Sequence, residues 1–357
     1  MTMKMISLLC GVLLTIGHGE IVTLAHPGEA SDLTKTVVWS PLFQAAWDQF
    51  NVKAGGPPVR VEPPNRLMEK LDEFRWDAAT VMPEGSWKAW CGPASADFLK
   101  QVNQEAAAIT KEAEGPFQLQ QESPQSLAFF GILAHEVEYQ RAFFRSKNLA
   151  LKFRSSHGEE PVQFFGVRSG LTGEYGPNVR VLAWRPVDHS HAIQIRCKQA
   201  GDTVILYLPP KDQDFDTACR WLRTWRAQAT REVDRPGAWD DSAVHDGDEI
   251  QIPYISLQSK ADFTSLLGGT RYQGPNATPF NITRAEQVTR FDLHEKGARV
   301  RVEVIGAAAG AAPDLPLTIP RCFRYDRPFF VFLWREQAEW PYFGAWIGDA
   351  SALNMFR

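Results

Sequence analysis

His135-Glu136-Val137-Glu138-Tyr139 opens like the helix of a zinc protease, in which two histidines four apart hold the metal and the glutamate activates water. Position 139 is tyrosine, so the second ligand is missing and the run is not that site. Asp188-His189-Ser190-His191 puts two histidines two apart, on one face if the segment is a strand, where a third ligand would complete a zinc site. A solvent-facing turn is the plainer account, since no third ligand announces itself. His245-Asp246-Gly247-Asp248-Glu249 is a short acidic turn that departs from the spacing of a calcium loop. Cys91, Cys197, Cys219 and Cys322 contain no close pair, which excludes a CxxC metal or redox site and reads as four free, mostly buried thiols. There is no glycine-rich phosphate loop and no nucleophile elbow. The residue types therefore name no catalytic group, no metal and no cofactor, and the chain does not read as an enzyme.

What the chain must build is clearer. Hydrophobic content of 44% with 22% charged residues is ordinary for a soluble globular protein, and a net charge of −4 argues neither for nucleic acid nor for an anionic membrane. Lys4, the apolar run 5–16 and Gly17-His18-Gly19 read as a secretory leader over 1–19, with a buried first helix as the other account. Val37 to Phe43 is a buried strand stopped at Ser40-Pro41, followed by a helix from Phe43 to Asn51. The proline-rich stretch 55–64 is expected to be loop. Helices are expected over Asn65–Arg75, Ala94–Glu114 and Asp214–Arg231, the last with Phe215, Ala218, Leu222 and Trp225 on one side. Leu127–Leu133 is a buried strand, residues 151–210 alternate strands with turns, and strands dominate from Ile250 onward. Helices early, strands late and no βαβ alternation give an α+β chain, one domain over 20–357, with large mixed or antiparallel sheets.

Phe323-Arg324-Tyr325-Asp326-Arg327-Pro328-Phe329-Phe330-Val331-Phe332-Leu333 is a turn opening a fully apolar strand. It resembles the C-terminal signature of the serpins, the loop-insertion protease inhibitors, and all eleven positions carry residue types that signature allows. Thr36–Asp48, Leu127–Phe143, Val204–Pro210, Ile252–Gly268 and Ile282–Gly297 are similar to further serpin segments, so the likeness spans most of residues 36–357. The resemblance implies a serpin-like fold with N-terminal helices and an exposed reactive-centre loop, here over 297–316. It also implies a function: a serine (or cysteine) protease cuts the loop, which then inserts into the central sheet as a new strand and drags the acyl-linked enzyme along. The partner is the protease; the chain is expected to be a monomer, secreted or extracytoplasmic (periplasmic if bacterial).

Within that likeness the hinge is Glu295, Gly297, Ala298, Val300, Val302 and Val304, with Ala298 and the three valines on one face of an alternating strand. Inhibitory serpins carry small residues here. The valines leave two readings: slow insertion that lets the protease escape, or a segment already paired in the sheet. Counting about fourteen residues past Gly297, as loop insertion requires, puts the scissile bond near Ala311-Ala312, where alanine suits an elastase-like pocket. The loop could equally be a plain flexible linker between strands. The family's latch beneath the opening sheet falls on Ser40, Gly131 and Gln287, where glycine contributes no side chain but Ser40 and Gln287 could pair. A non-inhibitory serpin-fold binding or structural protein is the alternative function.

Overall fold

The computed structural model describes residues 21–53, 60–118, 123–232, 242–267, 271–273, 279–299 and 320–356. The leader, the candidate scissile residues Ala311 and Ala312, and the hinge valines Val300, Val302 and Val304 lie outside them. Strands β1–β21 and helices α1–α6 are numbered along the chain.

The run Phe329–Arg335 is β20, at the centre of a seven-stranded sheet. Its order is β1 (Val22–Leu24), β2 (Val37–Trp39), β21 (Phe343–Ile347), β20, β13 (Asp202–Leu208), β12 (His191–Arg196) and β11 (Val179–Trp184). A strand with no polar residue until Arg335 must be covered on both faces. Helix α5 (Phe215–Glu232) covers one: Phe215 packs edge-on to Phe330 at 5.2 Å, and Ala218 and Leu222 are fully buried behind it. The main sheet covers the other, where Phe343 stacks on Phe291 at 4.5 Å.

The main sheet is built on β4 (Trp87–Ala94), β5 (Ser123–Leu133), β17 (Pro279–His294) and β15 (Ile255–Asp262). The β5–β17 pair is parallel and its flanking pairs are antiparallel. The lower end of β17 pairs with β16 (Arg271–Gln273), and β16 with β3 (Arg60–Glu62). This corrects the reading of 55–64 as loop: Arg60–Glu62 is a short edge strand ending at Pro63, the position in a sheet where a missing donor costs least. At the upper end β17 pairs with β18 (Gly297–Arg299), and β18 with β6 (Glu136–Glu138). Helix α1 (Leu42–Lys53) lies under the sheet, and α4 (Ala96–Thr110) lies over it. Ser95 caps α4 by accepting the Phe98 amide, and Val102 and Ala106 pack on Trp90, Phe130 and Val288. Short helices α2 (Arg66–Glu73), α3 (Ala78–Val81) and α6 (Thr264–Leu267) fill the edges.

A third, four-stranded sheet has the order β19 (Cys322–Arg324), β14 (Glu249–Pro253), β10 (Phe164–Val167) and β7 (Phe144–Arg145). The hairpin of β8 (Leu151–Ser155) and β9 (Gly158–Val162) completes the chain. Cys91, Cys197, Cys219 and Cys322 are free, and burial pushes the Cys91 thiol up to about 12 and Cys322 to about 11. Among the described residues no three His, Cys, Asp or Glu side chains converge to hold a metal, and no helix is long and apolar enough to cross a membrane.

The two histidines of Asp188–His191 part company. His189 has φ +56° in the turn, while His191 begins β12 and is fully buried among Trp184, Phe323 and Tyr325. Its Nδ1 lies 2.8 Å from the His189 carbonyl, and burial, helped by Arg327 and His189, lowers its pKa to about 3. The folded protein thus holds the ring neutral while the unfolded chain takes up a proton from about pH 6.5 downward. Stability is complete above that pH and is lost as pH falls toward 3, by about 2 kcal/mol at pH 5 from this group. His26, lowered to about 4 by burial and by Lys70, adds in the same direction. Urea midpoints at pH 7 and pH 5 measure the loss, and His191→Phe should shrink the difference.

Candidate functional site

The feature that could move is the junction of β5 and β17. These strands pair directly from Ile282↔Leu127 to Val288↔Ile132 and then diverge. Above the divergence, β18 sits between β17 and β6, antiparallel to both, with Asp292↔Arg299, Leu293↔Ala298 and His294↔Gly297 on one side and Gly297↔Glu138 on the other. The sheet is a fork whose upper end is wedged by the three residues of β18. The segment that the sequence assigned to the start of an exposed loop is therefore strand at Gly297–Arg299, and Ala298 is fully buried in the core. Gly297–Arg299 are thus paired on both sides within the sheet. Below β18 the fork opens as a cavity of about 150 Å³ between Ile132–Ala134 and Val288–Asp292, roofed by Thr110, Glu112 and Pro116.

Gly297 meets β6 so closely that a Cβ there would lie 2.0 Å from the Val137 carbonyl oxygen. The turn Glu295–Lys296 joins β17 to β18 and is tied from three sides. Its carbonyls accept the amides of Phe143 and Tyr139, each at 2.7 Å, and the Glu295 carboxylate accepts the Tyr254 hydroxyl at 2.8 Å. Burial, then the bond to Glu295, pushes the Tyr254 pKa far up, so the hydroxyl keeps its proton and donates. Tyr254→Phe should cost about 1.5–3 kcal/mol, the range for a hydrogen bond to a charged group. Chemical denaturation measures that loss, and faster hydrogen exchange at the turn locates it.

Beneath the fork, Gln287 lies opposite Gly131 across the β5–β17 ladder. Its Nε2 donates to Ser40 Oγ at 3.2 Å and to Thr289 Oγ1 at 3.3 Å, and all three side chains are buried. Gly131 offers nothing to bond, and the Gln287 Oε1 that remains has no partner among the described residues. Leu42, 3.3 Å from where a Gly131 Cβ would sit, limits what could replace it.

Other ties around the fork have no signal in sequence spacing. Arg290 on β17 reaches Glu112, just past α4, at 2.5 Å, which straps the covering helix to one tine. Ser86 Oγ lies 2.9 Å from His135 Nδ1, and His135 Nε2 lies 2.9 Å from Asp202. This relay fastens the turn before β4 and the β5–β6 link to β13. His135 is thus a bridge between sheets, as its missing zinc partner allowed. The chain just before β19 is anchored too: Asp248, 1% exposed, accepts the Arg321 amide and pairs with its guanidinium at 2.7 Å.

No family model and no curated protein matches the sequence. Solved structures do resemble it. A thermophilic serpin, tengpin, in the native state superposes with a TM-score of 0.56 at 10% identity, over 90% of each chain. A highly specific serpin of the insect Tenebrio molitor gives 0.48 at 12% identity, over 88% of this chain and 92% of that one. Thyroxine-binding globulin in complex with thyroxine gives 0.48 at 13% identity, over 88% and 93%. The likeness to tengpin fixes the fold.

Proposed function

The chain has the serpin fold, and we propose that it inhibits serine-type endopeptidases by loop cleavage and insertion. The observation that carries this reading is the wedged fork: the hinge has begun as a strand antiparallel to both tines, with open space ahead of it. Attack by the protease serine on the Ala311 carbonyl breaks the Ala311–Ala312 bond, forms an ester and releases the Ala312 amine with its proton. The inserting segment then continues from Arg299 down the fork. Each of Val300, Val302 and Val304 would take the face that Ala298 takes, burying about 1.5–3 kcal/mol of apolar surface apiece. The valines thus strengthen the pull of insertion while their branched side chains demand a wider opening. The same reading places the protein outside the cytoplasm, as a monomer whose partner is the protease, and gives it no catalytic group of its own.

Incubation with elastase, chymotrypsin and subtilisin, followed by denaturing gels and melting of the cleaved product, tests the reading. A covalent band larger by the mass of the protease, with a raised melting temperature, is expected, most readily with elastase. Nicking without a complex and without a rise in melting temperature would leave a serpin-fold binding or structural protein.

A further inference from the structure

Away from the fork, the four-stranded sheet carries a recess of about 300 Å³ between β7, β10, β14 and the turn that follows β10. We propose that it is a binding site for a small amphiphilic anion, a medium-chain alkyl or aryl carboxylate. Its volume lies at the lower end of the range for small-molecule sites, about 300–1,000 Å³. Phe144, Phe164 and Leu171 form apolar wall that is only partly buried, and Leu149 stands 53% exposed beside them. Gly166 lies in the lining, and a Cβ there would meet the Ile250 carbonyl oxygen at 1.8 Å, so this point of the sheet stays free of side chain.

The charges decide the class of ligand. Arg145 and Arg168 both line the recess and are both exposed, and neither has an ion-pair partner among the described residues. Arg145 rests its guanidinium 5.8 Å from the centre of the Tyr254 ring, a contact that leaves its donors available. The one acid in the lining, Glu249, is engaged: its carboxylate accepts from Gln251 at 2.7 Å and faces Arg324 at 3.8 Å. Two uncompensated guanidiniums beside an apolar hollow match a carboxylate head on an apolar body, and Arg is the side chain best shaped to grip that head. A cationic amphiphile of the same length fits the walls and is repelled by the rim. The site is independent of protease trapping, because neither arginine belongs to the hinge or to the fork.

Titration calorimetry on the full chain with decanoate, below its micelle concentration, tests the site. Saturable binding with one equivalent is expected, and at least tenfold weaker binding of decyltrimethylammonium. The double variant R145Q/R168Q should lose at least tenfold in decanoate affinity while melting like the parent, since both side chains are exposed. Leu149→Asp should weaken decanoate through the wall rather than the rim. Absence of saturable binding, equal affinity for the two amphiphiles, or affinity unchanged in R145Q/R168Q would each overturn the proposal.

Discussion

Asp248→Ala should lower the unfolding free energy by about 3–5 kcal/mol, the cost of stripping one partner from a buried ion pair. Asp248 Oδ1 accepts the Arg321 amide at 2.9 Å, and Oδ2 accepts the His245 amide at 2.9 Å and Arg321 Nη2 at 2.7 Å. The Arg321 side chain is 11% exposed and lies over the Phe323 ring, so water cannot replace the carboxylate once it is gone. The same change frees the residue just before β19, whose amide Asp248 holds. Urea denaturation measures the loss. Lys198→Ala provides the contrast: its pair with Glu138 is about half exposed at both ends and should be worth less than about 1 kcal/mol. Equal effects from the two substitutions would contradict the burial assigned to Asp248.

Gly297→Val should cost about 3 kcal/mol and expel β18 from the fork, because overpacking against backbone cannot relax as a side chain would. The added Cβ would fall 2.0 Å from the Val137 carbonyl oxygen and 2.9 Å from the Glu138 Cα. Neither tine can yield without breaking β6 from β18. Hydrogen exchange should show the Ala298 amide losing its protection while β5 and β15 keep theirs. Under the proposed mechanism, protease then escapes more often, so nicked inhibitor accumulates at the expense of covalent complex. Unchanged protection at Ala298 would mean that the hinge does not depend on this contact.

Much of the scaffold is legible in the chain because its signals are local. The apolar run Phe329–Leu333 can only be a strand covered on both faces, and it is the centre of the seven-stranded sheet. Phe215, Ala218, Leu222 and Trp225 repeat at helical spacing and lie on α5. Strand β3 is hidden because Pro57, Pro58, Pro63 and Pro64 argue for loop, while a distant edge, β16, supplies the partner. The fork is only half legible. Alternation shows that residues 297–304 suit a strand, and nothing local says that pairing has already reached Arg299. The Ser86–His135–Asp202 relay and the Arg290–Glu112 strap join residues far apart in sequence, so no periodicity could reveal them.

The short turn that joins β17 to β18 also has a kinetic consequence. A strand entering a sheet ordinarily begins with an unfavourable nucleus, since distant chain must be brought together before any contact rewards it. Here the first contacts are nearest neighbours along the chain and are already made. Under the proposed mechanism, growth of the inserting strand is then a zipper advancing one residue at a time, with its barrier in the parting of Val288 from Ile132 rather than in any encounter. Substitutions near that pair should change the speed of the zipper most, and those toward Ile282 and Leu127 should matter only late in its travel.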